Sequence, residues 1–158
     1  MKPLSSYART STDQSAFSLH DCRAKSAEIC DGALTFGFPD GIFTPEYGRD
    51  WPNTGPAAVT FALSQPPEEA VRCDLFAWEG DREFRQSVSA DTLIAEINRG
   101  AWELEFLYRY DGYEEVFYIC YLWQSAEPYV REAHLFIEAK EILFRWDEPA
   151  GNRQSESD

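Results

Sequence analysis

The sequence predicts a mainly β protein, with α+β as the alternative class. The expected architecture is an antiparallel two-layer sandwich or a strongly curled sheet of about eight to ten strands, with one helix near 90–98. Three observations predict it. Apolar and polar residues alternate with a period of two along most of the chain, Asp-Gly pairs separate the alternating runs, and only one run has the period of a helix.

The first strands are short. Residues 25–30 and 33–38 are separated by Asp31-Gly32, and a second Asp-Gly pair follows the latter run. Asp-Gly supplies the positive φ that tight hairpins need. These residues therefore predict a meander of antiparallel strands.

A loop and three further strands follow. Residues 44–56 hold several prolines and glycines around Tyr47 and Trp51, which predicts a loop. The runs 57–63, 70–78 and 84–88 are predicted as strands. The paired prolines in 64–69 cannot lie inside a ladder and separate the first two.

One helix interrupts the strands. Ser89 can cap the segment 90–98, in which Leu93, Ile94 and Ile97 form an apolar stripe, and Gly100 lies just past its end. We expect this helix to cover one face of the sheet.

A long hairpin is the clearest pattern in the chain. Alternation from 102 to 110 is followed by Asp111-Gly112, which predicts a turn, and by the return strand 116–123. The residues expected to share one face of the first strand are Trp102, Leu104, Phe106, Tyr108 and Tyr110. The return strand is apolar on both faces, which favours a central position with cover on each side.

Two strands are expected to close the sheet, at 131–139 and 142–148, with a turn near Lys140-Glu141. In the first of these, alternation predicts that His134 faces away from Ala133 and Leu135.

The ends of the chain lack apolar periodicity. We expect a flexible N-terminal arm at 1–16, a single globular β-rich domain at 17–148 and a flexible tail at 149–158. No leader pattern and no apolar run of the length of a membrane span is visible, which predicts a cytoplasmic protein. The four cysteines lack CxxC spacing, so we expect free thiols.

The balance of charge restricts the partners. The chain has 28 acidic and 14 basic residues, a formal charge of -14. Such a charge repels phosphate backbones and anionic membranes, so no direct nucleic-acid or membrane binding is expected. A basic protein partner suits it, although acidity can also serve solubility alone.

Two acidic turns are the candidate partner-binding sites, because carboxylates beside tyrosines suit a basic docking patch. Two solvated loops are the alternative interpretation. The candidate residues are Asp111, Tyr113, Glu114 and Glu115 at one turn, and Glu79, Asp81 and Glu83 at the other.

The sequence allows two other types of site. Tyr47, Trp51 and Trp123 could form a stacking platform for a small molecule or glycan. A Cys/His enzyme would use His20 with Cys22, or His134 with one of the thiols, but Asp21 in an extended strand would face away from His20. No metal-ligand spacing or cofactor motif is visible, so we predict no catalytic residues, no metal and no cofactor.

The stretches "LHDC", "LTFGFPDG" and "WELEFLYRYDGY", with a late strand ending "RWDE", resemble a family of small bacterial β-rich proteins of unknown activity. In general character the chain is also similar to immunity proteins of toxin systems and to phage inhibitors of host defence. The resemblance implies no active site. With the charge, it leads to the prediction of a non-enzymatic module that blocks a basic surface of a partner. A small-molecule or glycan binder is the alternative.

Overall fold

The computed structural model describes residues 1–151, in which the chain forms ten antiparallel strands and two α-helices. The mainly β prediction is confirmed. The strands are β1 (Arg9–Ser11), β2 (Cys22–Ala24), β3 (Ser26–Cys30), β4 (Ala33–Phe38), β5 (Ala57–Leu63), β6 (Val71–Glu79), β7 (Arg82–Val88), β8 (Trp102–Gly112), β9 (Glu115–Gln124) and β10 (Val130–Trp146). The helices are α1 (Pro67–Ala70) and α2 (Ala90–Asn98).

The long strand β10 joins two layers. Its first part pairs with β9 and β6, and its second part pairs with β5 and β1. We call the strands β2, β8, β9, β6 and β7 with residues 130–138 the first sheet, and β3, β4, β5 and β1 with residues 139–146 the second sheet. The turn expected near Lys140-Glu141 is absent, because β10 passes through this point with a register shift. The fold is thus one sheet bent into two layers.

Aromatic side chains fill the space between the layers. Phe36 of β4 lies 5.4 Å from Phe106 of β8, and Phe61 of β5 lies 6.2 Å from Tyr118 of β9, between ring centroids. Phe36, Phe61 and Phe106 are completely buried. Burial of one such side chain stabilises the fold by roughly 1.5–3 kcal/mol.

Helix α2 begins and ends where the sequence predicts. The Ser89 hydroxyl accepts a hydrogen bond from Thr92 N–H at 3.2 Å, and Leu93 and Ile97 are buried. The Asn98 side chain exchanges two hydrogen bonds with the backbone of Ala27, which attaches the helix to β3. The single-turn helix α1 lies where only a chain break was expected.

The prediction that five alternate residues of β8 share one face is wrong beyond Phe106, because a β-bulge lies at Leu107. The pairing of Phe106 with Cys120 and of Tyr108 with Ile119 leaves one extra residue between them. Because side chains alternate, the extra residue places Tyr108 and Tyr110 on the face opposite to Phe106. The Leu107 carbonyl oxygen lies 2.6 Å from His20 Nδ1.

The tip of the β8–β9 hairpin also differs from the prediction. β8 continues through the predicted Asp111-Gly112 turn, and Tyr113 and Glu114 form the loop instead. Glu114 has φ 49°, and its carbonyl oxygen accepts a hydrogen bond from Ala139 N–H at 3.0 Å. This hydrogen bond to β10 stabilises a turn at residues 113–114, two residues later than the sequence predicts.

The N-terminal segment 1–16 is not the loose arm that the sequence suggested. β1 pairs with the end of β10, and Asp147 accepts hydrogen bonds from the Lys2 ammonium group and, at 3.0 Å, from Ala8 N–H. The edge of β10 that continues past β9 provides the pairing. Most of the C-terminal tail predicted at 149–158 lies outside the described residues.

Within residues 1–151, no helix has the length and apolar character needed to cross a membrane. The four cysteines are free thiols: Cys22, Cys73 and Cys120 are buried, whereas Cys30 is exposed.

Candidate functional site

The side of the first sheet that points away from the core carries many aromatic side chains. We call this side the outer face. Cross-strand register places its side chains in rows. One row is Tyr110, Phe117, Phe136 and Arg72; the next is Tyr108, Ile119, His134 and Asp74; a third is Glu105, Tyr121, Glu132 and Phe76. The outer face is therefore mainly aromatic at its centre and charged at its margins.

The aromatic rings of the outer face touch one another. Phe117 stacks on Phe136 with ring centroids 4.5 Å apart and lies 5.7 Å from Tyr110. His134 lies 5.2 Å from Phe117 and 4.4 Å from Phe76. These contacts connect four strands.

Within residues 1–151, no second layer of strands or helices covers this aromatic surface. Tyr108 is 56% exposed, Tyr110 54% and Tyr121 41%. The prediction that β9 has cover on each side is therefore wrong for its outer side chains. An uncovered aromatic patch of this kind is typical of an interaction site.

Arginines already stack on two of the outer rings. The Arg72 guanidinium lies 4.1 Å from the centre of the Phe136 ring, and that of Arg23 lies 4.3 Å from the Trp123 ring. Arg23 is also 3.2 Å from a carboxylate oxygen of Glu103. Aromatic rings bordered by carboxylates are thus arranged here as guanidinium sites.

One predicted acidic cluster lies at the β8–β9 tip. Asp111, Glu114 and Glu115 line a cleft of about 240 Å³ together with Glu141, and Arg109 and Lys140 are the basic residues of its wall. Tyr113, at the tip itself, is 94% exposed. The structure brings this cluster together.

The other predicted cluster, Glu79, Asp81 and Glu83, lies at the β6–β7 tip beside Trp78, which is 69% exposed. The two tips occupy opposite ends of the first sheet, because Glu115 pairs with Glu138 whereas Phe76 pairs with Glu132. Six residues of strand separate these pairs by about 20 Å. The clusters therefore border the outer face from its two ends.

The three aromatic residues of the alternative platform have different surroundings. The Tyr47 hydroxyl binds Arg9 at 3.1 Å and Trp146 at 3.2 Å. Trp51 stacks on Phe43. Trp123 belongs to the outer face and donates a hydrogen bond to Glu105 at 2.9 Å. The structure does not gather them into one platform.

The His20-Asp21-Cys22 stretch is shaped by a bend. Asp21 has φ 60°, so its carboxylate does not face away as expected and lies 3.4 Å from His20 Nε2. Cys22 points into the core, where burial raises the pKa of its thiol to about 12. Since the thiolate is the nucleophilic form, this thiol is poorly suited to nucleophilic catalysis at neutral pH.

The orientation predicted for His134 is confirmed, since Ala133 and Leu135 are buried and His134 lies on the outer face. In the part of the chain that the structure describes, no three His, Cys, Asp or Glu side chains are grouped as metal ligands.

Sequence reasoning missed most of the outer face, including Phe76, Phe117, Phe136 and Arg72. The signal was present in "VFYICYLW", where both alternating sets are apolar.

Comparison of the chain with protein-family models, curated proteins and solved structures gives no match.

Proposed function

We propose that the protein is a non-enzymatic acidic binding module that covers a basic surface of a partner protein. One observation carries the proposal: the exposed aromatic outer face lies between two acidic hairpin tips. Aromatic side chains supply most of the energy of many interfaces, and surrounding charges select the partner.

The outer face suits arginines in particular. Arg72 on Phe136 and Arg23 on Trp123 are examples, within one chain, of the contact that a partner's arginines would make with the exposed tyrosines. The acidic cleft at the β8–β9 tip would hold a further cation. The formal charge of -14 would accelerate the encounter at low salt.

The class of partner follows from the same chemistry. Proteins that act on nucleic acids carry basic clefts, and an acidic module seated in such a cleft would exclude the nucleic acid. We therefore propose a cytoplasmic inhibitor of the toxin-immunity or anti-defence type, of bacterial or phage origin. The outer face of this inhibitor would bind a basic protein surface.

The experiment compares two charge reversals. Glu114→Lys with Glu115→Lys alters the acidic cleft, whereas Glu28→Lys with Asp31→Lys makes the same change in charge on the β3–β4 hairpin of the second sheet. The pairs are matched, since Glu114 has φ 49° and Asp31 φ 50°. Each tagged protein is incubated with lysate of the source cell, and retained proteins are quantified by mass spectrometry at low and moderate salt.

We expect one basic protein that the unmodified chain and the Glu28/Asp31 variant retain equally. The Glu114/Glu115 variant should retain at least about tenfold less of it, the equivalent of about 1.4 kcal/mol. The same protein, purified, should lose affinity as salt rises. If both variants retain the basic protein equally, the β8–β9 tip is not part of the interface. If the unmodified chain retains no basic protein, the proposal is contradicted.

A further inference from the structure

We infer that a small cavity beside residues 17–20 binds a short-chain monocarboxylate. The cavity has a volume of about 100 Å³ and lies between the chain leading into β2, the bulge of β8, and the inner faces of β9 and β10. Its lining residues are Phe17, Ser18, Leu19, His20, Phe106, Leu107, Arg109, Tyr118 and Phe144. This site lies on the core side of the first sheet and not on the outer face, although Arg109 also lines the acidic cleft at the β8–β9 tip. The inference does not rest on the proposed function.

The Tyr118 hydroxyl is the first observation. Tyr118 is only 2% exposed, and its oxygen has no hydrogen-bond partner among the described residues. The ring is held 4.9 Å from Phe106 and 6.2 Å from Phe61, so the hydroxyl cannot easily turn elsewhere. Burial raises the pKa of this hydroxyl, so it remains a donor over the physiological range.

Arg109 is the second observation. The bulge at Leu107 makes Arg109 the cross-strand partner of Tyr118, on the inner side of β8. Its Nε donates to Asp111 at 2.8 Å, and its guanidinium group also binds the Gln14 side chain. A half-buried arginine beside an unpartnered buried hydroxyl forms a donor set for an oxygen ligand.

His20 is a further polar side chain at the cavity, and its Nδ1 already has a hydrogen-bond partner in the backbone. Its Nδ1 lies 2.6 Å from the Leu107 carbonyl oxygen, which makes Nδ1 the donor and occupies that carbonyl. The Tyr118 hydroxyl and the Arg109 guanidinium group remain as donors at the cavity, which favours a ligand that accepts hydrogen bonds.

Size and polarity restrict the ligand further. A cavity of roughly 150 Å³ can hold a benzene ring, so one of about 100 Å³ has room for a ligand of about five heavy atoms at most, such as propionate. Phe17 stacks on Phe144 at 4.6 Å, which supplies an apolar wall for a short alkyl group. Arg109 is already paired with Asp111, so one negative charge suits the site better than a phosphate dianion.

The presence of a hydroxyl group at position 118 also supports a role in ligand binding. An unpaired buried hydroxyl destabilises a fold, and phenylalanine would fill the same space without that cost. Removing a group that serves a ligand should therefore stabilise the ligand-free protein and abolish binding.

The test is the melting temperature of the full chain with and without sodium propionate, with equal sodium chloride as the reference. Propionate should raise the melting temperature of the unmodified protein by mass action. Tyr118→Phe should melt higher than the unmodified protein without ligand and should show no shift with propionate. Tyr110→Phe, at an exposed ring, is the matched control and should respond like the unmodified protein.

Saturation-transfer NMR with propionate gives a second reading, with Arg109→Gln as a second variant that should lose the signal. An equal shift in the Tyr118→Phe variant, or no shift and no NMR signal in the unmodified protein, would overturn the inference. A response to phosphate but not to propionate would also contradict it. None of these results depends on a protein partner, so this site and the outer face fail independently.

Discussion

The two faces of β9 make an instructive comparison. Val116, Tyr118, Cys120 and Leu122 point into the core, and Phe117, Ile119, Tyr121 and Trp123 form the outer face. Both sets are apolar, so hydropathy does not distinguish them. They differ in what covers them: the second sheet covers one set, and the other set is exposed or half-exposed.

The difference shows that an apolar set can serve either stability or recognition. The inner side chains remove surface from water and so contribute directly to folding. The outer side chains gain less from folding and leave an aromatic patch at risk of self-association. The outer set is the one proposed above to bind a partner, and the predictions below separate the two roles.

The largest effect is expected from adjacent residues on opposite faces. Leu122 is completely buried, so Leu122→Ala should lower the free energy of unfolding by about 2–5 kcal/mol. Tyr121 is 41% exposed, so Tyr121→Ala should cost less than about 1 kcal/mol. Urea denaturation of both variants measures the difference. Similar losses at the two positions would mean that the outer face is also a packed core.

A smaller effect on stability, but a marked one on binding, is expected at the outer end of β8. Tyr110 is 54% exposed and stacks 5.7 Å from Phe117. Tyr110→Ser should cost less than about 1 kcal/mol of stability while lowering affinity for the retained partner about tenfold. Tyr110→Phe keeps the ring and should bind almost normally. Calorimetric titration of the purified pair distinguishes these outcomes, and unchanged affinity of the serine variant would place Tyr110 outside the interface.

Local patterns were sufficient to predict much of the fold. Alternation predicted β3 to β9 approximately and the orientation of His134, and the Ser89 cap and the Leu93–Ile97 stripe predicted α2, because these signals act within a few residues. It did not predict β1 or the continuity of β10. The bulge at Leu107 was not predictable in this way. The carbonyl oxygen of the bulged residue contacts His20, which is 87 residues away in sequence and invisible to a local pattern.

The same limit applies to the candidate site. The acidic turns were visible as turns, but their positions at opposite ends of one sheet depend on the register of β10 with β6 and β9. The sequence gives no sign that the Tyr118 hydroxyl is buried without a partner among the described residues. Only the tertiary arrangement identifies these two features.

The smallest effect should come from the second sheet, where Asp147 attaches the N-terminal segment. Burial alone would raise the pKa of Asp147, but hydrogen bonds from Lys2 and Ala8 N–H outweigh it and hold the pKa below its usual range. A lowered carboxyl pKa contributes stability above the ordinary value of about 4, and this stability is lost as the pH falls through the folded pKa. Both partners are partly exposed, so Asp147→Asn should cost less than about 1 kcal/mol.

Hydrogen exchange localises this effect. At neutral pH, Asp147→Asn should speed exchange of the amides of Ala8 and β1 without changing that of β9, and the two proteins should converge as the medium is acidified. Lys2→Met should reproduce part of the loss, because it removes one of the two hydrogen bonds to the carboxylate. If the Asn variant differed from the unmodified chain equally at low and neutral pH, the ionised carboxylate would not be what attaches β1. The edge of β10 would then hold the segment by strand pairing alone.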